Sequence, residues 1–468
     1  MSEAAVKPKK KFVMPHLMLM VLFMLLLMSA LTYIIPAGQF AADPETGALL
    51  GDQFNYLGYQ TPVSPWTALK KIYNGVINIG YMVSIMLPMG GMAAIALKTQ
   101  AIDKMLDYAI FKLKDKGFTI LVIGVCVVFG FYGIVSGGDY IVAMVPIGLA
   151  IAKKLRVDPV CGFAFIIVCI MLGWTSSPTQ GYMTQLMMGV PAYSGFGLRA
   201  IIAVFVLIFV TAFIFNYARK VRKDPANSIL GKSEWYDELD SGDTEFAKED
   251  VKLDIRALLI TILYFGMPVT SVIMLSVLKM SMDVMPALAF IFSYAMGICA
   301  CYKLNETSQI FAGGVASMAF IVLIIGMANA MSLVMTEGNI MHTIVHAICI
   351  PLANLSTGVA AIGISIAVTL INLVIPSASA KMALLVPIIT PICATLAIPM
   401  NVGAIAFKYG DAITNIVSPF LGLTMGGLEI AKVPYDKYLR WIMPLIIFLL
   451  IFCWGTLYFM GVTGWTGL

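Results

Sequence analysis

Long apolar runs separated by short polar segments dominate the chain. Residues 12–36, 201–217, 257–277 and 441–460 form runs that are mostly long enough to cross a hydrocarbon core of about 30 Å as helices. About ten to twelve segments fit this pattern as spans or half-spans. The sequence therefore predicts an all-α polytopic membrane protein.

Composition strengthens this prediction. Of the 468 residues, 60% are hydrophobic and 12% are charged, and the mean hydropathy of +0.92 lies outside the range of soluble globular proteins. The net charge of +5 is concentrated in short loops, so no nucleic-acid partner is expected. The eight cysteines lack metal-ligand spacing and are interpreted as small hydrophobic residues, without disulfides or a redox centre.

Basic residues predict the orientation in the membrane. Four lysines lie at positions 7 and 9–11, before the first apolar run, whereas residues 37–65 carry three acidic residues and no lysine or arginine. By the positive-inside rule, the N-terminus is cytoplasmic and this loop is outside. The first run is too long for a signal peptide and has no cleavage-site pattern, so it is expected to remain as a helix. The lysine-rich segment 98–116 is expected inside, as a helix in the membrane interface.

The distribution of polar residues divides the chain into four parts. They are an N-terminal transmembrane helix (1–36), a first transport repeat (66–218), a cytoplasmic linker (219–255) and a second half (256–468) whose repeat covers about 313–462. The linker has a basic start, which favours the cytoplasm. Its acidic continuation is interpreted as a solvated or disordered face.

An internal repeat relates the two halves. At a constant offset of 241 residues and without a gap, residues 136–181 align with residues 377–422, and the alignment matches serines, glycines and two prolines. The segment 98–116 is basic, whereas its counterpart 336–358 contains Glu337 and no lysine or arginine. The two repeats are therefore expected to be inverted relative to each other, as in many secondary transporters.

Each repeat contains two interruptions of the helical pattern, at residues 132–140 and 173–181 and at residues 374–382 and 414–422. Proline, glycine and serine at membrane depth free backbone groups that lipid cannot satisfy, so such breaks need surrounding protein or water. A half-helix that starts after a break directs its amide donors at an anion. The breaks predict a substrate site near the midplane, although prolines that only kink packed helices are the alternative.

Ionisable residues lie within or beside these breaks, at Asp139, Lys381, Lys408 and Asp411, and are expected to face the interior in pairs. Lys381 could instead snorkel to an interface or neutralise Asp139. Asp139 and Asp411 are possible cation contacts, but no firm metal site and no cofactor are expected. The candidate substrate-binding residues are Ser136, Gly137, Gly138, Asp139, Ser177, Pro178, Ser377, Ser379, Lys381, Thr414, Asn415, Ser418 and Pro419.

Other patterns favour less specific interpretations. His342 and His346 have the spacing of a metal face but no evident third ligand, so a polar face on an interfacial helix is favoured. Ser377 and Lys381 could indicate an intramembrane serine/lysine hydrolase, but the repeat supplies matching serines without a second base. No nucleotide motif is apparent, and a channel remains a remote alternative.

Several segments resemble a known family. They are LTYIIPAGQF, GVPAYSGFGLR, VIPSASAKMALLVPIITP and ITNIVSPFLGLTMGGLEIAKVPYDKYLRW, and they resemble the YfcC/ArcD-type basic amino acid antiporters, which belong with the anaerobic C4-dicarboxylate carriers in the ion transporter superfamily. The resemblance implies two inverted repeats with re-entrant hairpins and broken helices, a homodimer and an elevator-like motion. It maps a serine-rich hairpin tip onto Pro376, Ser377 and Ser379, and a broken helix onto Ser418 and Pro419.

Two positions depart from this family pattern. Many relatives carry an acidic pair where this chain has residues 136–139 with one carboxylate, and a neutral residue where it has Lys381. These changes weaken the case for a dibasic substrate and favour an anionic or zwitterionic one, and a fixed ammonium could replace a coupling cation.

The prediction is a transporter rather than an enzyme. It is expected to be multi-pass in the bacterial inner membrane and to carry a small-molecule substrate across the lipid bilayer. Amino acids or C4-dicarboxylates would move by exchange or by coupling to H+ or Na+. An arginine/ornithine exchanger is the alternative.

Overall fold

The computed structural model describes most of the chain. The described residues are 17–42, 49–113, 117–135, 139–177, 181–191, 193–231, 235–236, 252–276, 278, 280–281, 283–373, 375 and 378–467. Nearly all of the regular structure in these ranges is helical. The prediction of an all-α polytopic fold is therefore confirmed.

The helices of the first half extend to the start of the predicted linker. The first six described helices are α1 (Leu17–Leu31), α2 (Pro65–Asn78), α3 (Gly80–Lys98), α4 (Ala101–Leu113), α5 (Gly117–Val135) and α6 (Val145–Lys154). The following elements are α7 (Pro159–Phe163), a π-helical turn (Ala164–Val168), α8 (Cys169–Gly173), α9 (Tyr182–Met187) and α10 (Phe196–Lys223). Short 3₁₀ turns cover Asp139–Met144 and Pro225–Asn227.

The second half is also helical. Its described helices are α11 (Ile255–Ser276), α12 (Val284–Cys299), α13 (Leu304–Glu337), α14 (Met341–Cys349), α15 (Thr357–Asn372), α16 (Ala378–Thr395), α17 (Met400–Asn415), α18 (Gly422–Ile430) and α19 (Tyr435–Val462). A 3₁₀ turn covers Ile350–Asn354. The inverted orientation of the two repeats stays a prediction.

Helix length separates the membrane-crossing candidates into two groups. Within the described ranges, α5, α10, α13 and α19 are long and apolar enough to cross a membrane alone, and the bent pair α2–α3 would be a fifth span. Shorter apolar helices such as α7–α8, α15 and α16 make up the rest. Half-length helices are expected where breaks interrupt the membrane-embedded part of a transporter.

The four predicted breaks coincide with helix ends. Helix α5 ends at Val135, α8 at Gly173, α15 at Asn372 and α17 at Asn415. Clusters of proline, glycine and serine follow each end, where they cannot continue the intrahelical hydrogen bonds. Residues 136–138, 178–180, 374 and 376–377 within these breaks lie outside the described residues.

A β-hairpin is the element that the sequence analysis did not predict. Strands β1 (Gly38–Ala42) and β2 (Leu49–Tyr56) pair antiparallel, with Gly38 opposite Tyr56. The hairpin lies in the acidic loop predicted outside, and β2 packs against α16. Paired strands satisfy the backbone groups of this loop, which a long irregular segment would leave to water.

Contacts between helices form two groups, one around α13 and one around α17. Helix α13 packs along α2 and α3, whereas α15 packs against α17 and both contact α19. Helix α17 also contacts α8 and α9 of the first half. The end of the first half and the centre of the second half are therefore brought together around α17.

The start of the predicted linker is part of a helix. Residues 219–223 form the last turn of α10, where basic side chains favour the negative end of the helix dipole. The first irregular residues then dock onto the helical part, because Ser228 Oγ donates a hydrogen bond to Asp158 Oδ2 at 2.8 Å and Tyr217 donates to the same oxygen. The acidic residues 237–250 lie outside the described residues.

Candidate functional site

A buried ion pair lies at the break between α15 and α16. Lys381 is in the first turn of α16, and its Nζ donates to Asp411 Oδ1 of α17 at 2.5 Å. Neither side chain is more than 4% exposed. Charged groups at membrane depth are stable only when paired, so this contact satisfies the pairing expected for Lys381.

An asparagine completes this cluster. Asn372, the last residue of α15, accepts a hydrogen bond from Lys381 Nζ through Oδ1. Its Nδ2 donates to Thr414 Oγ1 and Asn415 Oδ1, both at 2.8 Å, and to the backbone oxygen of Asp411 at 3.1 Å. Because the amide nitrogen has three acceptors, the Oδ1 atom is fixed toward the ammonium.

A second cationic residue joins the cluster from one turn earlier on α17. Lys408 Nζ lies 3.8 Å from Asp411 Oδ2, and the Lys408 side chain is 17% exposed. It also lines a cleft with a cavity volume of about 10 Å³, which is room for about one water molecule. Lys408 therefore links the buried ion pair to a narrow polar cleft.

The cleft lies between the end of the first half and α17, and we call it the Arg199–Lys408 cleft. Its walls carry several polar groups and two cations. The lining residues are Thr175, Ser176, Gly181, Gln185, Arg199, Ala404, Ile405, Lys408 and Tyr409. A Cβ atom placed on Gly181 would lie 3.6 Å from both Arg199 Nη2 and Lys408 Cδ, so the two cationic side chains converge on this glycine.

Hydrogen bonds fix the position of the Arg199 guanidinium in this wall. Arg199 is 3% exposed, and its Nη1 donates to Gln185 Oε1 at 3.2 Å while its Nη2 donates to the Ser177 backbone oxygen. Gln185 is held in turn, because its Nε2 donates to Asn401 Oδ1 at 2.8 Å. These hydrogen bonds therefore hold the guanidinium in one orientation in the cleft wall.

Among the side chains that the structure describes here, cations outnumber carboxylates. Lys381 and Lys408 pair with the Asp411 carboxylate, and Arg199 lines the adjoining cleft, where it donates to Gln185 and to the Ser177 backbone oxygen. In those same residues, the buried hydroxyl of Thr175 in the cleft wall has no hydrogen-bond partner. An excess of buried cations with a polar group left over is an arrangement that suits an anionic ligand.

The predicted site residues fall into three groups. Lys381, Thr414 and Asn415 meet around Asn372, together with Asp411. Ser177 donates to the Ile134 backbone oxygen, and Ser418 Oγ accepts from the Phe420 backbone nitrogen at 3.3 Å, so both hydroxyls support the ends of breaks. Pro419 follows Ser418 in the same turn.

The other predicted positions cannot be placed. Ser136, Gly137, Gly138, Pro178 and Ser377 lie outside the described residues, as do the side chains of Asp139 and Ser379. Their roles stay predictions.

Three residues of the site were missed by the sequence analysis. They are Asn372, Gln185 and Arg199. Arg199 carries the clearest signal, since it lies in the first turn of α10, directly before the apolar run 201–217 and within the quoted segment GVPAYSGFGLR. The rule for ionisable residues at membrane depth would have identified it, had the start of α10 been placed at Phe196.

The histidines of α14 contact the β-hairpin. His342 Nδ1 accepts a hydrogen bond from the Phe40 backbone nitrogen at 3.2 Å, and the His346 ring stacks on Phe54 at a centroid distance of 3.9 Å. Burial lowers the pKa of both imidazoles, which favours the neutral form that stacks and accepts hydrogen bonds.

Apolar helices around a buried charged cleft define a multi-pass membrane protein of the transporter class. A sequence comparison identifies the family, because residues 14–461 match the family described as C4-dicarboxylate anaerobic carrier, DcuC. The chain therefore belongs to the DcuC family of transporters.

Two curated relatives match almost their full length. "Putative basic amino acid antiporter YfcC" of Escherichia coli strain K12 is 22% identical, with 93% of this chain and 94% of the relative covered. An uncharacterized protein of Haemophilus influenzae is also 22% identical, with 96% of this chain and 97% of the relative covered.

Two solved structures also match over most of their length. The Alcanivorax borkumensis YdaH transporter has a TM-score of 0.45 at 16% identity, covering 97% of this chain and 100% of that one. Neisseria gonorrhoeae MtrF, which is described with a class of antimetabolite efflux pumps, has a TM-score of 0.41 at 17% identity. The latter match covers 96% of this chain and 95% of that one.

Proposed function

We propose that this chain is a secondary transporter of small anionic carboxylates, such as C4-dicarboxylates and acidic amino acids. The observation that carries the proposal is the convergence of two cations, Arg199 and Lys408, on one cleft beside the Lys381–Asp411 ion pair. Arg199 and Lys408 converge on Gly181 and repel each other, so a bound anion would stabilise the site. The family description points to the same substrate class.

The cleft offers chemistry for carboxylate recognition. Arg199 contributes a planar guanidinium whose Nη2 lies beside Gly181, and Lys408 contributes a second positive charge whose side chain contacts the same glycine. The unsatisfied Thr175 hydroxyl would add a neutral hydrogen bond. In this proposal, the cleft widens during transport to admit one substrate carboxylate between Arg199 and Lys408, and the serine-rich breaks close around the remainder.

The transport cycle is proposed to be alternating access of the elevator type, by exchange or by coupling to H+ or Na+. Location in the bacterial inner membrane, a cytoplasmic N-terminus and a homodimer belong to the same proposal. Support comes from the lysines at positions 7 and 9–11 and from the contact of α17 with α8 and α9 of the other half. The repeat in the sequence supports the inverted arrangement.

A basic amino acid exchanger is the second candidate, because the Escherichia coli relative carries that name. A dibasic substrate would bring further positive charge to a cleft that already holds Arg199 and Lys408. The intramembrane hydrolase is less favoured, since Lys381 donates to Asp411 and Asn372 and so is engaged as a donor rather than as a base.

Ligand-induced thermal stabilisation of the purified protein tests this proposal. We expect succinate or aspartate, but not arginine, to raise the unfolding temperature, because a ligand that binds only the native state stabilises it. Arg199→Gln should abolish the shift. Arg440→Gln is the matched control, since Arg440 lies one repeat offset of 241 residues further along and is exposed. Stabilisation by arginine alone, or an unchanged succinate shift in Arg199→Gln, would refute the assignment.

A further inference from the structure

The Lys381 ammonium occupies a position lined by oxygen atoms. Its Nζ lies 2.5 Å from Asp411 Oδ1 and also contacts Asn372 Oδ1, in a fully buried environment. Carboxylate and amide oxygens are the ligands that hard metal cations take in proteins. The ammonium group therefore lies where a small monovalent cation would find suitable ligands.

The oxygen ligands are held independently of the lysine. Asn372 Nδ2 donates to Thr414 Oγ1, Asn415 Oδ1 and the Asp411 backbone oxygen, at distances between 2.8 and 3.1 Å. Turning the amide over would place Oδ1 against the Asp411 backbone oxygen, which cannot donate, and against Thr414 Oγ1, which already donates to the Gly410 backbone oxygen, so Oδ1 keeps its orientation with or without Lys381. The ligand set is thus pre-organised by contacts between α15 and α17.

The cation comes from a different element than its ligands. Asn372 ends α15 and Asp411 lies on α17, whereas Lys381 reaches in from the first turn of α16 after the break. We infer that Lys381 is a tethered counter-cation that fills a latent monovalent-cation site formed by Asn372 and Asp411. Na+ is the ion that this site would take when the lysine is absent.

The charges around Asp411 show why the position must be filled. Without the Lys381 ammonium, the cation nearest to Asp411 among the described side chains is Lys408, at 3.8 Å and beyond hydrogen-bond distance. A buried carboxylate without a close partner is strongly unfavourable. A small cation that entered the vacated space would restore the pairing.

For transport, the inference rests on the proposed function and gives one consequence. Wild-type uptake should need no Na+ at this site, because the ammonium is already present. The binding half of the inference stands on its own, since it can be measured on the purified protein without any substrate.

Two substitutions of the same lysine separate charge from space. Lys381→Ala removes the ammonium and opens the space, whereas Lys381→Met removes the charge but keeps a chain of similar length in it. The unfolding temperature of each purified full-length variant is measured over a series of NaCl concentrations, with choline chloride holding the ionic strength constant. Lys381→Ser serves as a second opening variant if Lys381→Ala does not fold.

The expected result is a saturable upward shift of the unfolding temperature with NaCl in Lys381→Ala. The three other proteins should show no saturable shift. In Lys381→Met the side chain still fills the space, in the wild type the ammonium occupies the site, and in Lys381→Ala/Asp411→Asn the carboxylate is missing. Rescue by ethylammonium chloride in Lys381→Ala would support the same site. An Na+ response of Lys381→Ala equal to that of Lys381→Met would overturn the inference.

If neither opening variant can be purified, the same thermal unfolding is measured in membranes that contain the variants. A saturable Na+ shift in Lys381→Ala but not in Lys381→Met supports the tethered cation, and equal responses overturn it. Failure of the proposed substrate class would instead appear as absent stabilisation by carboxylates in the wild type, with the Na+ response of Lys381→Ala intact.

Discussion

Removing Asp411 should be more damaging than removing Lys381, although each substitution breaks the same ion pair. Asp411→Asn leaves Lys381 and Lys408 buried without a described carboxylate, whereas Lys381→Met leaves Asp411 with Lys408 at 3.8 Å. Breaking a buried pair by removing one partner typically costs about 3–5 kcal/mol. We therefore expect the loss in the free energy of unfolding to lie at the upper end of this range for Asp411→Asn and at the lower end for Lys381→Met.

Coulomb's law sets the relative weight of the two lysines. At one effective dielectric constant, attraction scales inversely with distance, so the contact at 2.5 Å is about 1.5 times as strong as the contact at 3.8 Å. Lys408 thus retains a substantial share of the attraction when Lys381 is removed. Replacing both partners of the close pair with neutral residues avoids an isolated charge, so Lys381→Met/Asp411→Asn should lose less than the two single variants together.

A double-mutant cycle measures the coupling energy between Lys381 and Asp411 directly. The free energies of unfolding of the wild type, both single variants and the double variant are determined in detergent micelles under one set of conditions. We expect a coupling energy of about 2–3 kcal/mol between the two positions. Additive losses, with a coupling within about 0.5 kcal/mol of zero, would show that the ion pair does not form.

Two further predictions concern the packing that supports the site. Asp158→Ala should destabilise the protein by about 1–3 kcal/mol, because the hydroxyls of Tyr217 and Ser228 lose their acceptor, whereas Asp158→Asn should lose less. Burial raises the pKa of the Asp158 carboxyl, so the native state disfavours its charged form. The free energy of unfolding of the wild type relative to Asp158→Asn should therefore be greatest below about pH 4 and should fall as the pH rises through the native pKa. The opposite slope would contradict this explanation. Gly148→Ala should lower the free energy of unfolding by about 1–3 kcal/mol, because its Cβ would meet the Gly162 backbone oxygen. Thermal unfolding measures this loss, and Gly124→Ala is the control because a Cβ at Gly124 would enter open space.

The sequence predicts the fold class and the breaks because both depend on local patterns. Apolar runs of spanning length and clusters of proline, glycine and serine act through the backbone of a single segment. The four breaks therefore fall at the ends of α5, α8, α15 and α17, as expected. The pairing of Lys381 was also predictable, since a lysine at membrane depth needs a partner.

The identity of the partners depends on tertiary packing. In the sequence, Asn372 has no feature that distinguishes it from other asparagines. Its amide reaches Asp411 only because α15 packs against α17. Gln185 and Arg199 face the cleft because α17 contacts the end of the first half. The β-hairpin was missed because residues 37–65 were interpreted only as an acidic loop, and its two strands show little alternation of polar and apolar residues.

Counterflow of labelled substrate in proteoliposomes tests the central claim most directly. Vesicles loaded with unlabelled succinate should accumulate labelled succinate transiently and saturably, as expected of a carrier for small anionic carboxylates, and Arg199→Gln vesicles should not, while Arg440→Gln vesicles should. Transient accumulation of labelled arginine in arginine-loaded vesicles, with no counterflow of succinate or aspartate, would contradict the account.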